Sequence, residues 1–224
     1  MTLDQAAEAA AQHDDTPFAE LDPDEQLRRM RHSAAHVLAE AVLEMFPEAK
    51  YAIGPPIDNG FYYDFDLPRP LTPEDLTILD KRMRKSAKRN VPIEGEWIPK
   101  AQAREIFANQ PYKLEMIDEI EDDTVGHFTH AKFEDLCRGG HTERTGQIGA
   151  FKLTHSAGAY WRGDEARPML QRVYGLLFPT REELDAYIEA REEAERSDHR
   201  RLGRELDLYS THEEYGPGLV YWHP

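Results

Sequence analysis

The sequence predicts an α+β fold: a mostly antiparallel sheet packed on a central helix, followed by a long charged helix near the C-terminus. Three observations lead there. Apolar residues between Leu27 and Met45 recur at helical spacing, several short strand-like segments are separated by glycine, proline and Asn-Gly signals, and no regular βαβ alternation joins them. With 224 residues, 40% of them apolar, the chain is long enough to bury a good core.

The first helix carries Leu27, Met30, Ala34, Val37, Leu38, Ala41, Val42 and Met45, and Pro47 marks its end near Phe46. His32 and His36 are four apart and share one side of it, off the apolar stripe. Their neighbours there are Ala35 and Ala39, so that face carries small residues and invites close approach. The segment KYAIGPPIDNGFYYDFDL reads as two short strands about a Pro and Asn-Gly turn. Thr72, Pro73, Glu74 and Asp75 then open a second helix with a cap, a proline at its first position and early acids, ending near Asn90. A strand over 93–98, a helix over 101–108 and a strand over 112–117 are expected next. GHFTHAKFEDLC, IGAFKLTHSAGAYW and MLQRVYGLLF read as further strands. Thr180 with Glu183 forms a capping box for a helix that could reach Leu206. The apolar and aromatic ending, YGPGLVYWHP, reads as the beginning of something larger.

A formal net charge of −16 argues against a generic nucleic-acid binder, because phosphate neutralisation needs surplus Lys and Arg. The charge is uneven, however. Residues 1–25 hold eight acids and no Lys or Arg, whereas Lys81, Arg82, Arg84, Lys85, Lys88 and Arg89 crowd one helix. That run is either a solvated face or a phosphate-binding patch. No apolar run is long enough to span a bilayer and no signal-peptide pattern opens the chain, so the expected address is cytoplasmic. The single cysteine, Cys137, excludes an internal disulfide and leaves a buried hydrophobe, a metal ligand or a reactive thiol.

Cys137 lies in FEDLCRGGH, two residues after Asp135 and four before His141, with Gly139 and Gly140 between. Combined with His32 and His36, it completes a His, His, Cys, His donor set of the kind zinc takes. The same groups could instead form a metal-free hydrolytic pocket in which imidazoles and a carboxylate orient a water.

HSAAH at 32–36, AIGPPIDNGFYYDFDL at 52–67, YKLEMIDE at 112–119, DLCRGGH at 135–141, AGAYWRGD at 157–164, MLQRVYG at 169–175 and DHRRLGRELDLY at 198–209 together resemble bacterial threonyl-tRNA synthetases. The resemblance runs in order from about residue 27 to the end. The histidine and cysteine motifs alone are shared with alanyl-tRNA synthetase editing domains, whereas AGAYWRGD and LQRVYG point to the threonyl family. It implies an editing domain over 27–178, a linker helix over 179–210 and the start of an aminoacylation domain over 211–224, whereas the acidic leader over 1–26 departs from it, standing where the family usually has a ubiquitin-like domain. The function it implies is hydrolysis of seryl-tRNA(Thr) made in error.

By that resemblance His32, Lys113 and Asp135 are catalytic. His36, Cys137, His141 and Tyr62 line the substrate; the basic run, read as a phosphate-binding patch, offers Arg82, Lys85, Lys88 and Arg89 as tRNA contacts. No cofactor is expected; a zinc-dependent alanyl-type deacylase using His32, His36, Cys137 and His141, or a silent tRNA-docking module, are the alternatives. The full-length enzyme is expected to be a homodimer through domains beyond this sequence. One departure stands out: Gly140 occupies a position where the family usually has proline.

Overall fold

The computed structural model describes residues 16–197, 202, 205–211 and 220–223. They fall into two compact units divided after Arg181. The α+β class and the antiparallel sheets agree with the sequence.

In the first unit, helix α1 (Pro23–Met45) opens with Asp22, whose carboxylate accepts from the Asp24 and Glu25 amides, and with proline in its first turn. The expected leader over 1–26 therefore runs into α1. Ahead of it Phe18 is buried, and its amide donates to Glu143 (3.0 Å). Residues 1–15 lie outside the described part.

Strands β1 (Lys50–Tyr51), β2 (Pro56–Ile57) and β3 (Gly60–Asp66) follow, then helix α2 (Pro73–Lys88), whose Thr72 and Asp75 form a capping box. Strand β4 (Glu94–Pro99) and helix α3 (Lys100–Ile106) match expectation closely. Residues 111–119 do not: they form helix α4 (Pro111–Glu119), where a strand was expected over 112–117. Tyr112, Leu114 and Met116 imitate a period of two, but the buried positions are Tyr112, Lys113 and Ile117, a helical spacing led by Pro111.

GHFTHAKFEDLC is a hairpin, β5 (Thr124–His130) and β6 (Phe133–Leu136), turned at Ala131 with φ 50°. Strands β7 (Ala150–Tyr160) and β8 (Met169–Phe178) complete the unit.

Two antiparallel sheets result. One runs β1-β3-β8-β7 with β2 on β3; the other runs β4-β5-β6. Helix α1 meets β2, β3 and β8 of the first and β6 of the second, which makes it the central helix. That position explains why Ala34, Ala35, Val37, Leu38, Ala39 and Val42 are all fully buried, around more than one face. Strand β3 sends Phe61, Tyr63 and Phe65 into the core, so Tyr62 and Asp64 belong to its other face. Asp64 is held there by Arg172, paired opposite it on β8, through two bonds of 2.7 and 2.8 Å.

The second unit contains helix α5 (Arg181–Arg196) and an antiparallel pair, β9 (Tyr209–Thr211) with β10 (Val220–Trp222). The helix expected to reach Leu206 is described to Arg196, and residues 198–201 lie outside the described part. Because β9 begins at Tyr209, the helical span does not extend to 210.

Candidate active site

Burial of α1 between the sheets decides where the site forms. His36 is 1% exposed and His32 is partly covered. What approaches the small-residue face is the loop after β6, from Cys137 to His141. Its Gly139 and Gly140 have φ of 86° and 77°, a region open to glycine. A proline cannot adopt 77° at residue 140, and a Cβ there would lie 2.7 Å from the Arg28 guanidinium. Glycine at 140 therefore permits this loop path, which brings the Gly140 carbonyl to His32 Nδ1 (3.3 Å).

Three imidazoles meet. The His32 and His141 rings stack at 4.0 Å, His36 and His141 are 4.2 Å apart, and His32 and His36 are 5.0 Å apart edge to face. Cys137 Sγ lies 3.2 Å from His141 Nε2. One donor atom from each of His32, His36, Cys137 and His141 falls within 4.8 Å of the others, so both motif pairs singled out in the sequence are brought together.

Behind them sits a buried charged group. Asp135 (2% exposed), from β6, forms an ion pair through Oδ1 with Lys113 (1% exposed), from α4. Its other oxygen accepts from Tyr63 Oη (2.6 Å) and lies 3.3 Å from His36 Nε2. Lys113 also donates to Tyr63 Oη (3.2 Å). Helix α4, formed where a strand was expected, delivers Lys113 to the interior, where its charge is tolerated because it is paired.

Hydrogen bonding sets the tautomers of His32 and His36. A carbonyl only accepts, so His32 Nδ1 carries the proton and Nε2 holds a free lone pair. Asp135 likewise draws the His36 proton to Nε2, leaving His36 Nδ1 buried without a partner among the described residues. Ser33 Oγ accepts from the Thr142 amide (2.9 Å) and lies 3.1 Å from the Thr142 hydroxyl, which donates to the Arg144 carbonyl (3.0 Å), and 3.3 Å from His141 Nδ1.

Burial is the largest influence on all of these groups. It lowers His32 to about 4 against a partial offset from Asp135, and holds His36 and His141 well below the ordinary range, reinforced by neighbouring imidazoles. It also pushes the Cys137 thiol up, as does Asp135, so the sulfur is a thiol and a poor nucleophile.

These shifts predict acid sensitivity. Between pH 6.5 and 4 the unfolded chain binds protons at histidines that the folded chain keeps neutral, so stability is fully present above 6.5 and falls as pH drops through that window. Each such histidine contributes up to about 1.4 kcal/mol per pH unit. Thermal melts from pH 7.5 to 4.5 should show the loss; a flat melting temperature would mean the imidazoles are solvated.

The two tyrosines of FYYDF divide between the faces of β3. Tyr63, by the alternation in FYYDF, reaches Asp135, whereas Tyr62 on the other face packs on Tyr174 (5.9 Å) and under Arg172 (3.9 Å). Sequence reasoning passed over Ser33 and a second buried group, in which Glu40 of α1 accepts from Ser86 and Arg89 and lies 3.4 Å from His130. Burial opposes ionisation of Glu40, but His130, Ser86 and Arg89 outweigh it and hold the carboxyl down to about 2. The basic helix is thus partly spent internally: Arg89 serves Glu40, Arg82 pairs with Glu44 (3.2 Å) and Arg84 with Asp80 (2.7 Å).

Residues 119–174 match the family model for the threonyl and alanyl tRNA synthetase second additional domain. That stretch holds Asp135, Cys137 and His141 but not α1 or Lys113, and the model's name spans two families. Relatives named threonine–tRNA ligase decide between them. The chain is 57% identical over 202 residues to one from Dehalococcoides mccartyi strain CBDB1, 50% over 207 to one from Borrelia hermsii and 48% over 208 to one from Rubrobacter xylanophilus.

The chain belongs with the threonyl-tRNA synthetases.

These alignments cover 90, 91 and 92% of the chain and so include every residue of the cluster, but only 35, 36 and 33% of the respective relatives. The chain spans about a third of the length of the curated threonyl-tRNA synthetases it matches. Among the described residues no helix is long and apolar enough to cross a membrane.

Proposed function

We propose that this region of a threonyl-tRNA synthetase hydrolyses the ester of seryl-tRNA(Thr), in the cytoplasm, as the proofreading site of a larger homodimeric enzyme. The observation that carries the reading is the juxtaposition of a free, low-basicity imidazole lone pair at His32 Nε2 with the buried Asp135, Lys113 and Tyr63 group. Serine lacks one methyl of threonine, and a synthetic pocket gains only about 1–3 kcal/mol from a methyl, so a second hydrolytic site meets a physical need.

In this mechanism His32 and Asp135 orient a water and the terminal ribose hydroxyl. Water adds to the ester carbon, the bond from that carbon to the ribose oxygen breaks, and the proton from water ends on the departing ribose oxygen. Lys113 gives one N–H to Asp135 and one to Tyr63, and its third stabilises charge developing on the ester oxygen. Cys137, His36 and His141 form the wall beside the aminoacyl group. Tyr63 replaces Tyr62 in the pocket.

A second reading has its own support: the four donors within 4.8 Å suit zinc, and the lone pairs at His32 Nε2 and His36 Nδ1 are open to it. Against it, Lys113 already provides a cation beside Asp135. Deacylation of seryl-tRNA(Thr) by metal-analysed protein separates the readings. Turnover by zinc-free protein, unaffected by chelator, is expected. Activity that appears only with stoichiometric zinc selects the metal reading, and no turnover under either condition leaves a docking module.

A further inference from the structure

We propose that the cleft between the last turn of α2 and the loop following His141 binds the sugar–phosphate backbone of the RNA whose 3′ end enters the histidine site, an inference that rests on the tRNA reading above. The cleft has a volume of about 670 Å³, and its polar lining is Arg84, Lys88, Asn90, Arg144 and Gln147. No carboxylate lines it, although the chain carries −16 overall. Its cations differ in availability. Arg84 is tied to Asp80 and to the Phe151 carbonyl (2.7 Å) and forms a wall. Lys88 is exposed and makes no hydrogen bond or ion pair among the described residues, and Arg144 gives one N–H to the Asn90 carbonyl (2.5 Å), leaving the rest of its guanidinium for a ligand. The nearest acid in sequence, Glu143, is engaged by the Phe18 amide and Gln147 (3.2 Å).

The backbone carrying Arg144 is fixed. Ile93 N–H donates to the Glu143 carbonyl, Thr145 N–H to the Val91 carbonyl, and Val91 N–H to Thr145 Oγ1, at 2.9, 2.9 and 3.1 Å. The same loop reaches the hydrolytic site, because Thr142 is bonded to Ser33, next to His32. A phosphate held by Lys88 and Arg144 would therefore sit on the segment that carries His141. Arg82 and Arg89, which the sequence offered as tRNA contacts, are occupied by Glu44 and Glu40. Arg144 was not among the sequence candidates.

The test is binding of a short RNA hairpin with a single-stranded 3′ end, measured across salt, to the wild type, Lys88→Glu/Arg144→Glu, the milder Lys88→Ala/Arg144→Gln, and Lys81→Glu, an exposed site outside the cleft. The double reversal should weaken binding by about tenfold or more and reduce the magnitude of the log Kd against log salt slope by about 1–2, one unit or less per lost phosphate contact. The milder pair should shift both in the same direction, and Lys81→Glu should change Kd less than about twofold. Equal effects of Lys81→Glu and the cleft variants, or no effect of either pair, would overturn the cleft. Hydrolysis of a seryl ester of adenosine, too small to reach it, should be unchanged in the cleft variants. Loss of hydrolysis in the wild type on both substrates would instead refute the deacylase reading and leave the RNA-binding result to stand by itself.

Discussion

Replacing Lys113 or Asp135 by alanine should reduce seryl-tRNA deacylation by at least about a hundredfold and also destabilise the fold by about 3–5 kcal/mol. Each change strands a buried partner: Lys113 and Asp135 are 1% and 2% exposed, and neither can recover water when the other is lost. The two effects are separable. In Lys113→Met/Asp135→Asn both charges are gone, so denaturant unfolding should show much of the stability restored while hydrolysis stays lost. A double variant that regains hydrolysis would make the pair a scaffold with no part in the chemistry. Single variants of unchanged stability would mean that the pair is solvated.

The second large effect is expected at His32, where alanine should lower turnover by about 10²–10⁴ while the fold persists, since the ring's hydrogen bonding is to the Gly139–Gly140 backbone alone and its loss strands no buried charge. The pH profile identifies the role. With the imidazole lowered to about 4, turnover in the wild type should hold steady from pH 8 to about 5 and decline only below that. An acid limb near 6.5 would describe a solvated histidine. His32→Ala retaining full turnover would move the base elsewhere, with His36 Nδ1 the next candidate.

Much of the site was legible in the sequence because its residues occur in short motifs with clear local periods. HSAAH on a helix and DLCRGGH at the end of a strand each place their side chains by local geometry, and the structure brings the two together. What local patterns hide is which neighbours meet. YKLEMIDE is too short to distinguish alternation from helical spacing, so the pattern suggests a strand over 112–117 and does not reveal that Lys113 is buried. In FYYDF the period of two was visible, but which face met the central helix was not, so the pattern does not reveal that Tyr63 is the one to reach Asp135. Glu40 with His130 was invisible for a related reason: a carboxylate within an amphipathic pattern normally marks solvent, and only the packing of α2 on α1 supplies Ser86 and Arg89 to neutralise it.

The basic helix shows the same limit from the other side. Counting charges suggested one patch, whereas the fold divides it: Arg82, Arg84 and Arg89 pair with acids, and Lys81, Lys85 and Lys88 are exposed without partners among the described residues. Charge density in sequence is therefore a poor measure of charge available to a ligand.

The central claim, that this buried cluster removes serine and spares threonine, is tested most directly by single-turnover deacylation of seryl-tRNA(Thr) and threonyl-tRNA(Thr) by metal-analysed protein. In the proposed site, with Cys137, His36 and His141 placed beside the aminoacyl group, the extra methyl of threonine would strike those side chains or displace the attacking water, and steric exclusion can exceed what a methyl gains by attraction. A seryl rate more than about a hundredfold above the threonyl rate is predicted; equal rates on the two esters would contradict the account.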